Sequence, residues 1–282
     1  MSLTQRTKSL LKKYSAKPVK ALGQNFLINQ HILEKIVAAT DIHENDFVIE
    51  IGPGLGFLTA LLAKKTKNVL AVELDRKMVE ILTQELPHAH VVHGDALKIN
   101  WREKLEALGW QGEKLKVIAN LPYYITTPIL FMFLEGDLPV SEMVVMMQKE
   151  VAERIAAKPG GKIYGALSVA VQYRCEVLQV CKVASNAFLP QPDIESAVIK
   201  LVFHTVKPHL PKDEKLLFKI VRGAFAQRRK TLHNTITNVL PDIKDEVDEA
   251  MLSVDIIPSR RGETLSVKEF VALADAIYAK LH

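Results

Sequence analysis

Three closely spaced glycines follow the first strongly apolar segment, in the run Glu50-Ile-Gly-Pro-Gly-Leu-Gly56. They fall where a strand must turn sharply into a helix, and a residue without a side chain lets a ligand lie against the backbone there. Tight structural turns use the same residues, so the run alone is weak evidence. Dinucleotide sites usually have the spacing Gly-x-Gly-x-x-Gly, whereas Gly52, Gly54 and Gly56 are spaced Gly-x-Gly-x-Gly. This spacing, with Glu50 before it, favours S-adenosylmethionine over a nicotinamide dinucleotide.

Acidic residues follow the next two apolar segments. Glu73 closes the first of them, where α/β nucleotide sites place an acceptor for ribose hydroxyls. Asp95 follows the second, where its carboxylate could accept a hydrogen bond from an adenine amino group. For either acid alone a solvated strand end is the alternative, but suitable groups at three consecutive strand ends argue against coincidence. We therefore expect Glu73 to bind the ribose and Asp95 to bind the adenine of the cofactor.

The fourth apolar segment ends in Asn120-Leu-Pro-Tyr123, which could hold an amine substrate. The exocyclic amine of adenine is a poor nucleophile, because its lone pair is delocalised into the ring. The Asn120 side chain and the Leu121 carbonyl could accept its two N–H groups, pull the nitrogen toward tetrahedral geometry and free the lone pair to attack a sulfonium methyl. Pro122 would stiffen the turn, and Tyr123 would stack on the base. A β-turn that contains an aromatic residue is the alternative.

A second aromatic candidate lies in the proline-containing run Phe188–Ser196. Phe188 could close the other side of a flipped base, opposite Tyr123. A rigid proline-rich connection with a buried phenylalanine is the structural alternative.

These motifs need a parallel sheet to bring them together. From residue 47 to about 205, short β-rich apolar runs alternate with helix-period segments, which is typical of an α/β fold. A late pair of strands without a long helix between them predicts one antiparallel strand at the end of the sheet. The seven predicted strands are Phe47–Ile51, Asn68–Glu73, His90–His93, Leu115–Ala119, Glu142–Gln148, Leu167–Tyr173 and Ala197–Phe203.

The pattern changes around Thr205–Pro211, where two prolines and little periodicity predict a domain boundary near residue 206. Beyond it, apolar residues recur at helical spacing from Leu216 to Phe225. We expect a basic N-terminal arm over residues 1–22, a Rossmann-like methyltransferase domain over residues 23–205, and a helical RNA-recognition domain over residues 206–282.

Composition excludes several classes of protein. Of the 282 residues 48% are hydrophobic and 24% are charged, and 37 Lys and Arg face 32 Asp and Glu, for a net charge of +5. This balance is ordinary for a folded chain and excludes disorder, collagen and coiled coil as descriptions of the whole. The longest apolar run, Ile129–Leu134, is far shorter than the roughly 20 residues of a membrane span. We expect a cytoplasmic protein with no membrane partner.

Metal and redox chemistry are not expected either. Cys175 and Cys181 match no ligand or redox spacing and fit a reducing compartment. His88, His90 and His93 lie close together, but a strand alternates its faces, so His90 and His93 would point to opposite sides. We therefore predict no metal site.

Basic residues form two clusters that could contact RNA phosphates. The N-terminal 20 residues carry six Lys and Arg and no acid, and the tail carries Arg228-Arg229-Lys230 with Arg222 shortly before it. A solvated helix face is the alternative for such charge runs. We select Arg222, Arg228, Arg229 and Lys230 as the RNA-binding candidates.

In this order along the chain, the motifs resemble those of the ribosomal RNA adenine dimethyltransferases that modify the small-subunit RNA. The resemblance extends from Gly23 to the end of the chain. The matching segments are Gly23–Leu27, Glu50–Gly56, Glu73, Gly94-Asp95, Asn120–Tyr123, Gln148–Arg154, Phe188–Ser196 and Phe225–Asn234.

The resemblance implies a class I, S-adenosylmethionine-dependent fold and the transfer of two methyl groups to N6 of each of two adjacent adenosines. These would lie in a hairpin near the 3′ end of the RNA and be modified during subunit assembly, so that the partners are the pre-30S particle and its RNA. We expect a monomer, and we assign no role to Tyr124. The expected catalytic residues are Asn120, Leu121, Tyr123 and Phe188. The expected cofactor-binding residues are Gln24, Asn25, Leu27, Glu50, Gly52, Gly54, Gly56, Glu73, Leu74, Asp95, Ala96 and Asn120.

Other functions remain open at this point. The methylases that confer macrolide resistance act on large-subunit RNA and share the sheet and the Asn120–Tyr123 pattern, but the tail Arg228–Asn234 resembles the small-subunit enzymes more closely. A non-catalytic RNA-binding assembly factor that retains the fold is a second alternative. Nicotinamide-dependent oxidoreduction is a remote third, which would require NADH to bind in place of S-adenosylmethionine.

Overall fold

The computed structural model describes all 282 residues, which divide into two compact units. Unit 1 comprises Met1–Ala152 and Leu178–Phe203, and unit 2 comprises Glu153–Val177 and His204–His282. The α-helices are α1 (Leu3–Lys13), α2 (Gln30–Ala39), α3 (Phe57–Leu62), α4 (Arg76–Glu85), α5 (Trp101–Glu106), α6 (Thr126–Glu135), α7 (Lys149–Ile155), α8 (Ala166–Gln172), α9 (Glu214–Ala226), α10 (Leu232–Val239), α11 (Val247–Leu252) and α12 (Val267–Leu281). The strands are β1 (Phe26–Leu27), β2 (Phe47–Ile51), β3 (Val69–Glu73), β4 (His90–His93), β5 (Leu115–Asn120), β6 (Val140–Gln148), β7 (Cys175–Val183), β8 (Phe188–Leu189) and β9 (Ser196–Phe203).

Seven of the strands form one sheet in the order β4-β3-β2-β5-β6-β9-β7, which confirms the predicted α/β class. The strands from β4 to β6 are parallel, and β9 pairs antiparallel with β6 from Glu142↔Val202 to Gln148↔Ser196. The antiparallel strand is therefore present, but it lies inside the sheet and not at its end. The remaining two strands, β1 and β8, form a separate antiparallel pair.

The central strands are apolar on both faces because helices cover both sides. Every residue of β2 and β3 is buried, including the acids Glu50 and Glu73. Continuous burial of this kind is expected for a parallel sheet with helical layers. The carboxyl ends of β2, β3, β4 and β5 consequently meet at one edge, where the predicted site residues lie.

The predicted strand Leu167–Tyr173 is wrong, because this segment forms α8. Ser168, Val169, Ala170 and Val171 are all buried, so the segment lacks the polar face that would have revealed a helical period. The true strand is β7, whose exposed positions are Glu176, Leu178, Gln179 and Lys182.

The N-terminal segment, expected as a basic arm, forms helix α1 and belongs to unit 1. Ser2 caps the helix through a reciprocal pair of hydrogen bonds with Gln5. Leu10 and Tyr14 are buried in the same hydrophobic cluster as the helices beside the sheet, and Tyr14 donates a hydrogen bond to Glu85. Lys8, Lys12 and Lys13 therefore lie on a packed helix, whereas Lys17 and Lys20 follow it.

Unit 2 is helical apart from the first residues of β7. Its core contains Phe225, whose ring lies 6.0 Å from that of Tyr164 and 5.9 Å from that of Phe270. Its second segment starts at His204, beside the boundary expected at residue 206. Residues Glu153–Val177, expected within the sheet domain, group with this unit instead. No helix in the structure is long and apolar enough to span a membrane.

Candidate active site

The glycine turn after β2 depends on backbone conformations that favour glycine. Gly52, Gly54 and Gly56 have φ angles of +65°, +57° and +78°, in the left-handed region. A Cβ at Gly54 would lie 3.1 Å from the ring of Phe26, so the turn lies directly against the N-terminal segment. Gly56 differs, since a Cβ there would meet Leu82 of α4 at 2.6 Å, and it does not line the pocket. The absence of a side chain at Gly56 therefore permits close packing against α4.

Glu50 lies at the carboxyl end of β2 with only 1% of its surface exposed. Its Oε2 atom is buried and has no hydrogen-bond partner. Burial raises the pKa of this carboxyl to about 8, and the nearby Glu73 acts in the same direction. A buried acid without a cation beside it is costly unless a ligand compensates for it.

Glu73, at the end of β3, is fixed by backbone donors. The Gly54 N–H donates to Oε2 at 3.0 Å, and the Asp75 N–H donates to Oε1 at 2.9 Å. Burial raises the pKa of Glu73, although these hydrogen bonds oppose the shift. The carboxylate is therefore held rigidly beside the glycine turn, and each oxygen has a second lone pair with which to accept a ribose hydroxyl.

Asp95 follows β4 and lies in a more exposed position. The Leu97 N–H donates to its Oδ1 at 3.0 Å, and Lys98 lies 3.5 Å from Oδ2. Its side chain is one-third exposed. The carboxylate thus borders the opening of the pocket.

Asn120, the last residue of β5, has its amide oriented by the N-terminal segment. Its Nδ2 donates to the Asn25 carbonyl at 3.4 Å, so the donor side of the amide is engaged and Oδ1 is the acceptor that remains. The Leu121 N–H donates to the carbonyl of Met146 in β6, which fixes the backbone after the strand. The turn therefore presents acceptors, as an amine substrate requires.

Two aromatic side chains flank this turn. The hydroxyl of Tyr123 lies 2.8 Å from the Ser196 hydroxyl at the start of β9, which holds the half-buried ring in place. Burial raises the pKa of Tyr123. Phe188 is buried and belongs to β8, which pairs with β1 through Leu27↔Phe188. Both rings line the pocket that contains Asn120.

Gln24 fastens the N-terminal segment to the sheet edge. Its Oε1 accepts from the Val19 N–H at 2.8 Å, and its Nε2 donates to Asp75 Oδ2 at 2.7 Å. Both ends of the amide are therefore engaged within the protein. Gln24, predicted to border the cofactor, lines the pocket. Its side chain also fixes the N-terminal segment beside the pocket through these two hydrogen bonds.

One pocket in unit 1 brings together fourteen of the fifteen predicted catalytic and cofactor residues, all except Gly56. It is lined by three acids, Glu50, Glu73 and Asp95, and by no Lys, Arg or His. Sequence reasoning missed several lining residues, among them two leucines and three aromatic residues, which carry no chemical signature of their own. These residues are Leu22, Phe26, Phe57, Leu97 and Tyr124.

The RNA-binding candidates belong to unit 2. Arg222 is exposed on α9, and Arg229 and Lys230 are exposed in the turn that follows it. Arg228 is engaged, because its guanidinium donates to the carbonyls of Lys162 and Tyr164. Arg228 is thus fixed to a loop of its own unit, whereas its two neighbours present their charges to solvent.

The histidine cluster shows no metal-binding geometry. His93 bonds through Nε2 to the Leu74 carbonyl at 3.1 Å. No group of three or more His, Cys, Asp or Glu side chains is arranged to hold a metal ion.

Comparison with known proteins identifies similar chains. Residues 16–278 match the family model described as ribosomal RNA adenine dimethylase. The chain is 47% identical over 278 residues to the ribosomal RNA small subunit methyltransferase A of Bacillus mycoides, which covers 96% of this chain and 95% of that protein. The corresponding protein of Bacillus anthracis shows the same identity and coverage.

Solved structures show the same architecture. A dimethyladenosine transferase from Plasmodium falciparum superimposes with a TM-score of 0.72 at 26% identity, covering 87% of this chain and 94% of that one. A 23S rRNA methyltransferase gives a TM-score of 0.71 at 20% identity, covering 90% of this chain and 100% of the other. The second likeness establishes the fold alone.

Proposed function

Because the chain belongs to the ribosomal RNA adenine dimethylase family, we propose that its pocket transfers methyl groups to N6 of adenosines in small-subunit ribosomal RNA. The chain is an S-adenosylmethionine-dependent RNA adenine dimethyltransferase. The observation that carries the proposal is the pocket itself, in which three acids and no cation surround the Asn120 turn. Such a pocket suits a positively charged nucleoside and an amine, and it does not suit phosphate groups.

The residues present fit S-adenosylmethionine. The left-handed glycines Gly52 and Gly54 leave room for the methionine portion against the backbone. Glu73 would accept the ribose hydroxyls and Asp95 the adenine amino group, while Glu50 contributes an unpartnered buried oxygen to the same pocket. When bound, the cofactor supplies a methyl group on a sulfonium centre, whose positive charge the acidic pocket stabilises.

Asn120 and its neighbours would hold the target amine. Asn120 Oδ1 and the Leu121 carbonyl accept the two N6 hydrogens, which directs the nitrogen lone pair toward the pocket interior. Tyr123, held by Ser196, and Phe188 would enclose the adenine ring. The Asn120 amide cannot rotate freely, because Asn25 holds its donor side, so no ordering of this group is needed during reaction.

The sequence favours the small ribosomal subunit as substrate. Identity to the small subunit methyltransferases is 47% over 96% of the chain, whereas the 23S enzyme shares only 20% identity. We further propose that the protein acts as a cytoplasmic monomer on the pre-30S particle, on two adjacent adenosines near the 3′ end of its RNA. Arg222, Arg229 and Lys230 would contact RNA phosphates, with Arg228 shaping the loop that carries the last two.

Methyl transfer from radiolabelled S-adenosylmethionine to isolated ribosomal particles tests this function. Small subunits from cells that lack the modification are the substrate, large subunits and protein-free RNA are the controls, and labelled nucleosides are identified after digestion. We expect label as N6,N6-dimethyladenosine in small subunits only. Label in large subunits would assign the protein to the other group of methylases, and binding without label would indicate an assembly factor.

Asn120→Ala sharpens the same experiment. We expect the variant to lose about 1,000-fold or more in transfer rate while binding S-adenosylhomocysteine nearly as tightly as wild type, because Asn120 contacts the target amine. Asn68→Ala is the matched control, since Asn68 lies at the opposite edge of the sheet and donates to the Asn45 carbonyl. Equal loss of transfer and of cofactor binding in Asn120→Ala would contradict the assigned role.

A further inference from the structure

Two consecutive tyrosines at the end of β5 point in different directions. They lie in a short 3-10 turn, Tyr123–Ile125, in which successive side chains diverge by about 120°. The Tyr123 hydroxyl meets Ser196, whereas the ring of Tyr124 lies over Gly23, 3.6 Å from the position that a Cβ would occupy there. Tyr124 lines the pocket, yet 54% of its surface is exposed. The two rings therefore border different parts of one pocket.

Tyr124 lines the same pocket as Glu73 and Asp95, and its ring packs on Gly23, next to Gln24, whose amide donates to Asp75 two residues beyond Glu73. Partial burial of its hydroxyl raises the pKa of Tyr124, and the carboxylates of Asp95 and Glu73 raise it further. The hydroxyl is thus neutral at physiological pH and close to the two acids assigned to the adenosine. Tyr123 and Phe188, which line the same pocket, are by contrast the residues that we assign to the target base.

Exposed apolar side chains cluster at this opening. Leu74 directly follows Glu73, and Leu97 lies two residues beyond Asp95. Both leucines line the pocket, and they are 43% and 39% exposed, respectively. Single exposed hydrophobic residues are ordinary, but three around one opening form a surface that is suited to an apolar ring. The adenine of a bound nucleoside, anchored by Glu73 and Asp95, is the ring that would reach them.

We propose, on the basis of the function proposed above, that Tyr124 is a cofactor-binding residue whose ring closes over the adenosine half of S-adenosylmethionine, so that cofactor binding buries the ring. The two adjacent tyrosines then serve different substrates: Tyr123 stacks on the target adenine, and Tyr124 covers the cofactor. The aromatic face is the functional part of Tyr124, because its hydroxyl has neutral character and faces acids already engaged by backbone donors.

Removal of the Tyr124 ring tests the proposal, because it should weaken cofactor binding without slowing methyl transfer at saturating cofactor. Tyr124→Ala should weaken S-adenosylhomocysteine binding about tenfold in calorimetry and raise the KM for S-adenosylmethionine similarly, with kcat within about twofold of wild type. Tyr124→Phe should restore both values, because it retains the aromatic face. Tyr278→Ala is the matched control, since Tyr278 stacks on His282 in unit 2 and lies outside the pocket.

A fluorescence measurement reports the burial directly. Both natural tryptophans, Trp101 and Trp110, are buried, so Tyr124→Trp would contain one exposed indole. Acrylamide should quench this indole in the free protein, and saturating S-adenosylhomocysteine should protect it by at least twofold. The same titration on wild type gives the background from the two buried tryptophans.

The outcomes separate this inference from the proposed function. If wild type binds S-adenosylhomocysteine but Tyr124→Ala binds it equally well, or the new indole stays quenchable, Tyr124 does not cover the cofactor and the inference fails alone. A raised KM for small subunits with an unchanged KM for the cofactor would overturn it in favour of RNA contact. Absence of S-adenosylhomocysteine binding by wild type would overturn the proposed function and this inference together.

Discussion

Buried or partly buried acids lie at both edges of the sheet in unit 1, but only one edge supplies them with cations. At the carboxyl edge, Glu50 and Glu73 share a pocket without Lys, Arg or His. At the amino edge, Glu142 and Asp46 are bridged by Lys116, whose Nζ lies 2.9 Å from Asp46 and 3.6 Å from Glu142. The same residue types are therefore placed in opposite electrostatic environments.

The amino edge is a network of ion pairs, in which Glu142 Oε1 accepts no hydrogen bond but has the Lys116 ammonium 3.6 Å away. Lys200 binds Glu142 at 2.6 Å and the Ala39 carbonyl at 2.9 Å, and Lys116 also donates to the Asp41 carbonyl. Each cation thus has an acid and a carbonyl as partners. Although burial raises the pKa of Asp46, the His43 N–H and Lys116 hold it below its ordinary value.

The acids at the carboxyl edge, by contrast, have no cationic partner in the pocket. Burial raises the pKa of Glu50 to about 8 and also raises that of Glu73, because no cation of the protein compensates for them. Ion pairs offset the desolvation of the acids at the amino edge, whereas the uncompensated acids of the carboxyl edge lower stability until a cationic ligand binds. Burial of an acid therefore does not by itself indicate a functional site. The absence of a cation beside the buried acid is what indicates the site.

The largest expected effect comes from breaking the compensated edge. Glu142→Ala leaves the ammonium groups of Lys116 and Lys200 nearly buried without their shared partner, and it should lower the free energy of unfolding by about 3–5 kcal/mol. Urea denaturation at pH 7 measures this change. The affinity for S-adenosylhomocysteine, measured where the variant is folded, should stay within about twofold of wild type.

Glu80→Ala provides the comparison for that substitution. Glu80 pairs with Lys77 at 2.8 Å on the exposed surface of α4, and its loss should cost about 0.5 kcal/mol or less. Equal costs for Glu142→Ala and Glu80→Ala would show that the amino-edge network contributes no more than a surface pair, and the contrast between the two edges would fail.

A smaller effect is expected at the carboxyl edge, where pH reveals it. The folded-state pKa of Glu50 is about 8 and its unfolded value is near 4.5, so the folded state binds more protons between these values. Stability of the cofactor-free protein should therefore fall as the pH rises from about 5 to about 8. Glu50→Gln should remove part of this slope, on the order of 2 kcal/mol across the range.

Unfolding free energies at pH 5.5, 7 and 8.5 measure that slope for wild type and Glu50→Gln. Glu80→Gln serves as the control, because it changes an exposed acid on the surface of α4. Parallel pH profiles for wild type and Glu50→Gln would mean that Glu50 ionises normally, and the carboxyl edge would then not be electrostatically uncompensated.

Much of this arrangement could be predicted from the sequence, since local patterns determine it. Glycine spacing, the acid at the end of each buried strand and the Asn120–Tyr123 turn are all contiguous signals. Parallel strands bring their carboxyl ends together, so the position of Glu73 beside the glycine turn followed from the fold class. Six of the seven predicted strands are present for the same reason.

The parts that could not be predicted depend on contacts distant in sequence. The buried helix α8 lacks a polar face, and the strand β7 acquires its conformation by pairing within the sheet. Gln24 gave no sign that it would bind Asp75, 51 residues away, and Tyr124 looked like an unremarkable neighbour of Tyr123. The absence of cations from the pocket is likewise a property of the assembled surface and not of any segment.

The smallest effect expected is at Asp46, and its pH dependence should have the opposite sign to that of Glu50. The folded-state pKa of Asp46 lies below the ordinary value of 3.8, so its contribution to stability is present above that value and is lost as the pH falls through the folded-state pKa. Asp46→Asn should therefore lower the unfolding free energy by about 1 kcal/mol at pH 7, and the difference from wild type should shrink progressively as the pH falls below 3.8. Urea denaturation at pH 7 and at a series of pH values below 3.8 measures it. If Asp46→Asn and Glu50→Gln changed the pH profile in the same direction, the two edges would not differ in compensation. Opposite directions would show that the fold stabilises ionised acids at one edge and disfavours them at the other, where the cofactor brings its positive charge.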